Sequence, residues 1–219
     1  LKGEVRFPGI YTIQKGETLD SVLARAGGVT EYAYPEAAIF LRESIKAKEE
    51  KLLQDVANRL RDALVSKQLS DSEEGKETNV EVEEILKKVE GVKPVGRLVI
   101  DLPAILSQQV DNTKGLVLED GDQLIVPGQT QEVSVVGEVQ FPTSHIFKSG
   151  VEFEDYVNQS GGYTARADED RVYVIKASGK VSAVSVGLWY ESSEISIGPG
   201  DSIVVPYDVD QFSWLAWWK

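Results

Sequence analysis

Two stretches of this chain align without a gap at a spacing of 134 residues, and no other feature limits the fold as much. Gly3-Glu4-Val5-Arg6-Phe7-Pro8 through Gly27-Gly28-Val29-Thr30 lies over Gly137-Glu138-Val139-Gln140-Phe141-Pro142 through Gly161-Gly162-Tyr163-Thr164. G-E-V-x-F-P, a glycine at Gly16 and Gly150, and G-G-x-T all stay in register, and two apolar runs follow, Ala38 to Arg42 and Val172 to Lys176. A later pair, Gly121-Asp122 to Pro127 and Gly200-Asp201 to Pro206, matches at a spacing of 79. The first copy therefore holds 134 − 79 = 55 extra residues, placed between about Ser44 and Gly96. A recurring period of this kind marks a repeated structural unit. The chain is a tandem duplication with an insertion in copy one.

Each copy begins with a strand, turns at Phe-Pro, and enters a second strand, Ile10 to Ile13 or Ser144 to Phe147. Pro8-Gly9 suits the centre of a type II turn, with Gly9 at positive φ; Pro142-Thr143 requires a different type. A short helix follows. Thr18 can cap it, Asp20 lies in its first turn where the dipole favours an acid, and Leu19, Val22, Leu23 and Ala26 share one face. Phe153, Tyr156, Val157 and Ser160 repeat that face. Both helices end in Gly-Gly, the left-handed C-cap that a side chain would strain. The rest of each copy reads as strand: the Ala38 or Val172 run, Leu98–Leu102 or Val181–Val186, and a final strand ending V-P. One helix on one mixed sheet in about 75–80 residues is an α+β layout, with a β-grasp as the natural candidate.

The insertion follows another period. From Ser44 to about Leu69 there is neither Gly nor Pro, and Leu53, Val56, Leu60 and Leu64 make an apolar stripe among charges. Such a helix is about 35–40 Å long. Ser70 to Thr78 is a polar turn, and Val82, Ile85, Leu86 and Val89 support a second helix closed by Gly91 and Pro94. The expectation is a helical hairpin whose stripe packs on its own partner helix or on a neighbouring subunit.

Composition narrows the function. Thirty-six acidic against 23 basic residues leave a net charge of −13, a field that repels phosphate backbones and anionic lipid, so no nucleic-acid partner is expected. The 219 residues contain no run of the ~18–20 apolar residues a membrane helix needs, and no signal peptide. Cysteine is absent, which removes disulfides, thiolate catalysis and cysteine metal sites. Methionine is absent too, and Leu1 aligns with Val135 in mid-strand, so the chain is expected to be a piece of something longer.

These motifs together resemble a known family. G-E-V-x-F-P-G-x-Y, then T-L-x-S-V-L-x-R-A-G-G-V-T, G-R-L-V-I-D-L-P and G-D-x-L-I-V-P are similar to the SLBB (soluble-ligand-binding β-grasp) domains of Wza-type bacterial polysaccharide export proteins of the outer membrane. The resemblance spans nearly the whole chain. It implies an α+β fold of two tandem β-grasp domains: residues 1–130 with the helical insertion at about 45–95, residues 131–208, and a tail at 209–219. It also implies a capsular or extracellular polysaccharide as cargo, a homo-oligomeric ring in the periplasm, and an inner-membrane polymerisation or co-polymerase partner. Attachment to the outer membrane would use flanking segments. An upstream export domain and lipidated cysteine, both characteristic of the family, would precede Leu1. The tail fits: Phe212 to Lys219 holds three of the four tryptophans, and tryptophan favours a membrane interface. Trp214, Leu215, Trp217 and Trp218 are the candidate membrane-proximal residues, the alternative being a tail folded back on the second domain or a neighbour.

Chemical motifs are sparse. The lone histidine, His145, aligns with Tyr11 in a strand and reads as an exposed strand residue, since no serine and aspartate can be assigned to it. Asp120-Gly121-Asp122 and Asp168-Glu169-Asp170 lack the alternating acids and twelfth-position glutamate of a calcium loop and read as turns. Gly27-Gly28 and Gly161-Gly162 end helices rather than begin them, so they are not phosphate loops. Tyr11, Tyr32, Tyr34, Tyr163, Trp189 and Tyr190 are candidates for stacking on sugar, although most should serve the core or a sheet edge. No catalytic, cofactor or metal residue is assigned, and no cofactor is expected. The leading expectation is a non-enzymatic exporter component; a soluble sugar- or cofactor-binding module without a pore is the alternative, and an enzyme comes third.

Overall fold

A computed structural model of the chain describes residues 1–68, 85–107, 115–184 and 195–208, with 66–68 described by their backbone alone. Among the described residues the fold is mixed α and β with two sheets. Two compact units divide it: Leu1–Ile39, Val99–Leu118 and Leu124–Lys219 form the first, Phe40–Leu98 with Glu119–Gln123 the second.

Copy two lies wholly in the first unit. Its strands are β5 (Glu132–Gly137), β6 (Thr143–Ile146), β7 (Tyr173–Ile175), β8 (Val181–Ala183) and β9 (Ser202–Val205), in the order β6-β5-β9-β7-β8. β5 runs parallel to β9, and the other pairings are antiparallel. Alternate residues point inward, as a pleated strand requires: Val133, Val135, Val174, Ile203 and Val205 are buried. Helix α5 (Phe153–Gln159) lays Tyr156 and Val157 on that face to complete the core.

Copy one builds the same way. β1 (Lys2–Gly3) pairs parallel with β4 (Gln123–Val126), with Gly3 opposite Val126 as Gly137 is opposite Val205. Helix α1 (Leu19–Arg25) buries Leu19, Val22, Leu23 and the following Ala26, the expected face. All four glycines of the two Gly-Gly pairs have φ between +76° and +87°, as a left-handed C-cap demands.

Four local expectations are corrected. Residues 10–13 are not a strand. In copy two the matching β6 pairs with Glu132 to Val135, and Leu1 is the counterpart of Val135. The corresponding rung is present: Gly9 N–H donates to Leu1 O at 3.0 Å, and the Leu1 amine to Gly9 O at 2.8 Å. That rung also keeps Gly9 out of the positive-φ region, so the type II turn does not form; Thr143 at the same place in copy two makes the matching rung with Val135. Thr18 stands at the N-cap of α1 without a side-chain bond. Its backbone bridges Val117, and Leu19 N–H is satisfied by Leu116 O at 2.9 Å. Finally, Leu98–Leu102 is not one strand. Only Arg97–Leu98 is extended (β3), and Leu102–Leu106 is a short helix, α4, whose N-cap Asp101 accepts from Ala104 N–H at 2.9 Å. Asp followed by proline in the first turn is a helix start.

In the second unit, Phe40 and Leu41 of β2 (Ile39–Leu41) pair antiparallel with Leu98 and Arg97, the counterpart of β7 with β8. Helix α2 (Glu43–Gln68) runs 26 residues, about 39 Å, and residues 85–91 form α3. Arg61 pairs with Glu90 at 2.5 Å, and Leu53, Ala57, Val89 and Pro94 line one groove between the two segments. Of the expected stripe, Leu53 lines this groove and Ala57 takes the place of Val56 in it, Val56 being 36% exposed and Ala57 5%. Leu53, Ala57, Leu60 and Leu64 keep the 4-3-4 spacing of a seam between two helices. The Ser70 to Thr78 turn lies outside the described residues.

Candidate functional site

The repeated letters turn out to be framework. Thr30 Oγ1 donates to Glu4 Oε2 at 2.5 Å, and Thr164 Oγ1 to Glu138 Oε2 at 2.7 Å. In both copies the same threonine N–H donates to the same glutamate carbonyl at 3.1 Å. So the Glu of G-E-V and the Thr of G-G-x-T bind each other, closing the loop after the helix onto the first strand. The Asp of G-D-x-L-I-V-P has a partner in each copy as well. Asp122 receives a two-pronged bond from Arg42, at 2.9 and 2.7 Å. Asp201 accepts from Lys176 Nζ at 2.7 Å, Gly198 N–H at 2.8 Å and Ala177 N–H at 3.0 Å; Lys176 also reaches Ser196 O. Arg42 and Lys176 are themselves equivalent at the 134-residue spacing. Sequence reasoning missed this pair, treating Asp120-Gly121-Asp122 only as a rejected calcium loop and a turn. The turn is there, with Gly121 at φ +83°.

Beside Asp201 the two repeats meet within the first unit. Tyr34, half-buried in copy one, donates its hydroxyl to Pro199 O of copy two at 2.8 Å. Burial, then the nearby carboxylates of Asp201 and Glu36, push the Tyr34 phenol above its ordinary value of 10.0. Burial, with Glu169 and Glu154, does the same to Tyr163. As pH rises the unfolded phenols ionise first, so this contribution to stability is whole below pH 10 and is lost as pH climbs through the raised values. Tyr34→Phe is expected to lower stability at neutral pH by about 1 kcal/mol, the net worth of one hydrogen bond. The same variant should also flatten the alkaline loss, leaving the Tyr163 share. Urea midpoints measured from neutral pH to about pH 11 check both; an unchanged alkaline slope would remove Tyr34 from the account.

The other candidates are scattered. His145 is not an exposed strand residue: it is half-buried in β6, with Nε2 2.8 Å from Ser160 Oγ and its ring 6.0 Å from that of Tyr156. Ser160 is 1% exposed and its hydroxyl donates to Tyr156 O at 3.0 Å, so it ends α5 rather than facing a substrate. Tyr11 bonds Phe7 O and lies under Arg25, Tyr32 is exposed, and Tyr163 bridges Val139; these aromatic rings do not form one platform. Asp168 caps the turn Glu169–Arg171 and pairs with Arg171. Trp189, Tyr190, Trp214, Leu215, Trp217 and Trp218 lie outside the described residues. Among the described residues no helix is long and apolar enough to cross a membrane, and no group of His, Cys, Asp and Glu could hold a metal ion.

Comparison with known proteins agrees with the architecture. Residues 1–44 match the SLBB domain family, and residues 141–214 match the family described as capsule biosynthesis GfcC C-terminal. Over 194 residues the chain is 29% identical to the polysialic acid transport protein KpsD of Escherichia coli, and a second KpsD sequence from that organism matches to the same extent. That alignment takes in 87% of this chain and 32% of the relative, so the chain spans about a third of the length of the curated relatives it matches. The resemblance to polysaccharide-export proteins with SLBB domains is the one these matches bear out, with a family model at each end of the chain and a transport-protein relative across both repeats.

Proposed function

We propose that the chain is a non-enzymatic part of a bacterial polysaccharide exporter, built as two tandem β-grasp domains, residues 1–130 and 131–208. The observation that carries this reading is the similarity to the polysialic acid transport proteins, which runs through both repeats rather than through one short motif. In this reading the domains form layers of a homo-oligomeric ring in the periplasm, a capsular or extracellular polysaccharide passes through it, and an inner-membrane polymerisation partner docks below. The tail at 209–219, with Trp214, Leu215, Trp217 and Trp218, would approach the outer membrane, where tryptophan is favoured. A framework role suits the motif residues, because Glu4, Glu138, Asp122 and Asp201 are each bound by the fold itself.

Deleting the gene in its source cell tests the reading. The expected result is loss of polysaccharide from the cell surface, with polymer or its precursors retained inside. An unchanged surface coat, in a cell without a second exporter, would favour the soluble binding module instead.

A further inference from the structure

An open cleft of about 380 Å³ lies between the repeats, inside the first unit. One wall comes from copy one: Glu36 from the turn after Tyr34, then Val99, Asp101 and Pro103 from the approach to α4. The other comes from copy two, where the β7–β8 turn carries Ser178 and Lys180 and is tied by Gly179 N–H to Lys176 O at 2.7 Å. The Tyr34–Pro199 hydrogen bond fastens the repeats beside it.

We propose that this cleft binds a short stretch of an uncharged, hydroxyl-rich saccharide, an inference that rests on the exporter reading above. Val99, 52% exposed, and Pro103 offer an apolar surface for the C–H face of a sugar ring. Around them stand a hydroxyl, two carboxylates and an ammonium, the mixture of acceptors and donors that sugar hydroxyls satisfy in both directions. The Glu36 carboxylate and the Lys180 ammonium have no hydrogen bond or ion pair among the described residues, so neither must break one to reach a ligand. The Asp101 carboxylate is held in place by Ala104 N–H.

Charge selects among saccharides. The lining sets two carboxylates against one ammonium, on a chain of net charge −13. A polyanion entering that field is repelled, and at short range each carboxylate–carboxylate approach is unfavourable. A neutral polymer meets no such barrier. The volume sits at the low end of small-molecule sites, about 300–1,000 Å³, which limits the contact to a few sugar rings. An open site of this size binds weakly, and weak binding lets a moving polymer leave.

The test is a titration of the isotopically labelled chain with maltotriose, cellotriose, N,N′,N″-triacetylchitotriose and an α2,8-linked sialic acid trimer, following backbone amides by NMR. At least one neutral trimer should move the Val99, Ser178 and Lys180 amides with a millimolar dissociation constant, and the sialic acid trimer should not. Glu36→Gln with Lys180→Ala, both on exposed side chains, should weaken that binding about tenfold while leaving the rest of the spectrum unchanged. Silence at these amides with all three neutral trimers would overturn the proposal, as would tighter binding of the sialic acid trimer. A silent cleft in a protein whose deletion still strips the surface coat removes the cleft alone. Neutral-trimer shifts with an unchanged coat keep the cleft and remove the exporter reading.

Discussion

Gly137→Ala is expected to cost about 3–5 kcal/mol, a large share of the stability of an ordinary domain. Gly137 has φ +97°, and a Cβ there would stand 2.0 Å from Val205 O and 3.0 Å from Val205 C. Both obstacles are backbone, so no side-chain rotation relieves them. β5 and β9 would have to separate where Gly137 faces Val205 and where Glu138 N–H donates to Val205 O at 2.9 Å. Gly3→Ala meets the same obstacle in copy one, 2.0 Å from Val126 O. Two controls divide the effect. Gly162 has φ +80° with nothing within 4 Å of its Cβ, so Gly162→Ala should cost only the left-handed penalty of about 1–2 kcal/mol. Gly9 has neither a positive φ nor a close neighbour, and Gly9→Ala should fall within about 0.5 kcal/mol of no change. Urea unfolding of the four variants gives the order directly. A Gly137→Ala midpoint equal to that of Gly162→Ala would mean the strands do not approach as closely as the structure has them.

That hierarchy explains how much of the fold was legible. The repeat could be read because its letters answer local demands that act within one or two turns of chain. Gly-Gly supplies a left-handed C-cap without side-chain strain, and an apolar face at 3.6-residue spacing needs no knowledge of its partner. The glycine of G-E-V was visible as a repeated letter, but its reason was not, since the obstacle at Val126 or Val205 comes from a strand distant in sequence. The expectations that failed depended on partners. Ile10 to Ile13 has strand character, yet a strand forms only against another; among the described residues only the Gly9–Leu1 rung is made, and Ile10 is fully exposed. Thr18 could have capped α1, but its backbone was drawn into a bridge with Val117. The helix at Leu102 was signalled by Asp101 and Pro103, and the apolar run Leu98 to Ile100 before it obscured the start.

The candidate site was less legible, for a geometric reason. Lys176 and Asp201 meet because β7 lies antiparallel beside β9, with Ile175 opposite Ser202. No one-dimensional spacing shows that, although a base and an acid recurring at the two repeat spacings was a usable signal. The cleft is harder still. Its lining comes from Glu36, from Val99, Ile100, Asp101 and Pro103, and from Ser178 and Lys180, three stretches without a shared period. His145 shows the same limit: alignment of the repeats placed it in a strand opposite Tyr11, but only the fold brings Ser160 to within 2.8 Å.

Asp201→Ala is the second variant expected to have a large effect, about 3–5 kcal/mol. The carboxylate is 3% exposed and holds three donors, so its removal leaves the Lys176 ammonium with Ser196 O alone and takes the carboxylate acceptor from the Gly198 and Ala177 N–H groups. Unsatisfied buried groups cost more than the bond itself was worth. Asp122→Ala, its counterpart, should cost less, about 2 kcal/mol, since Arg42 retains Glu119 at 3.3 Å and the Phe40 ring at 5.4 Å. Two double-mutant cycles make the argument specific. Lys176→Ala should be far less damaging in the Asp201→Ala background, because the stranded ammonium is then gone; the coupling should reach about 1–3 kcal/mol. Tyr34→Phe should likewise lose most of its own cost there. Asp201 fixes the turn from Gly198 to Asp201, and that turn presents Pro199 O to Tyr34. Additive costs in both cycles would show that the carboxylate, the ammonium and the contact between the repeats stand independently; coupling in both would show that one buried aspartate sets the geometry at which the two repeats meet.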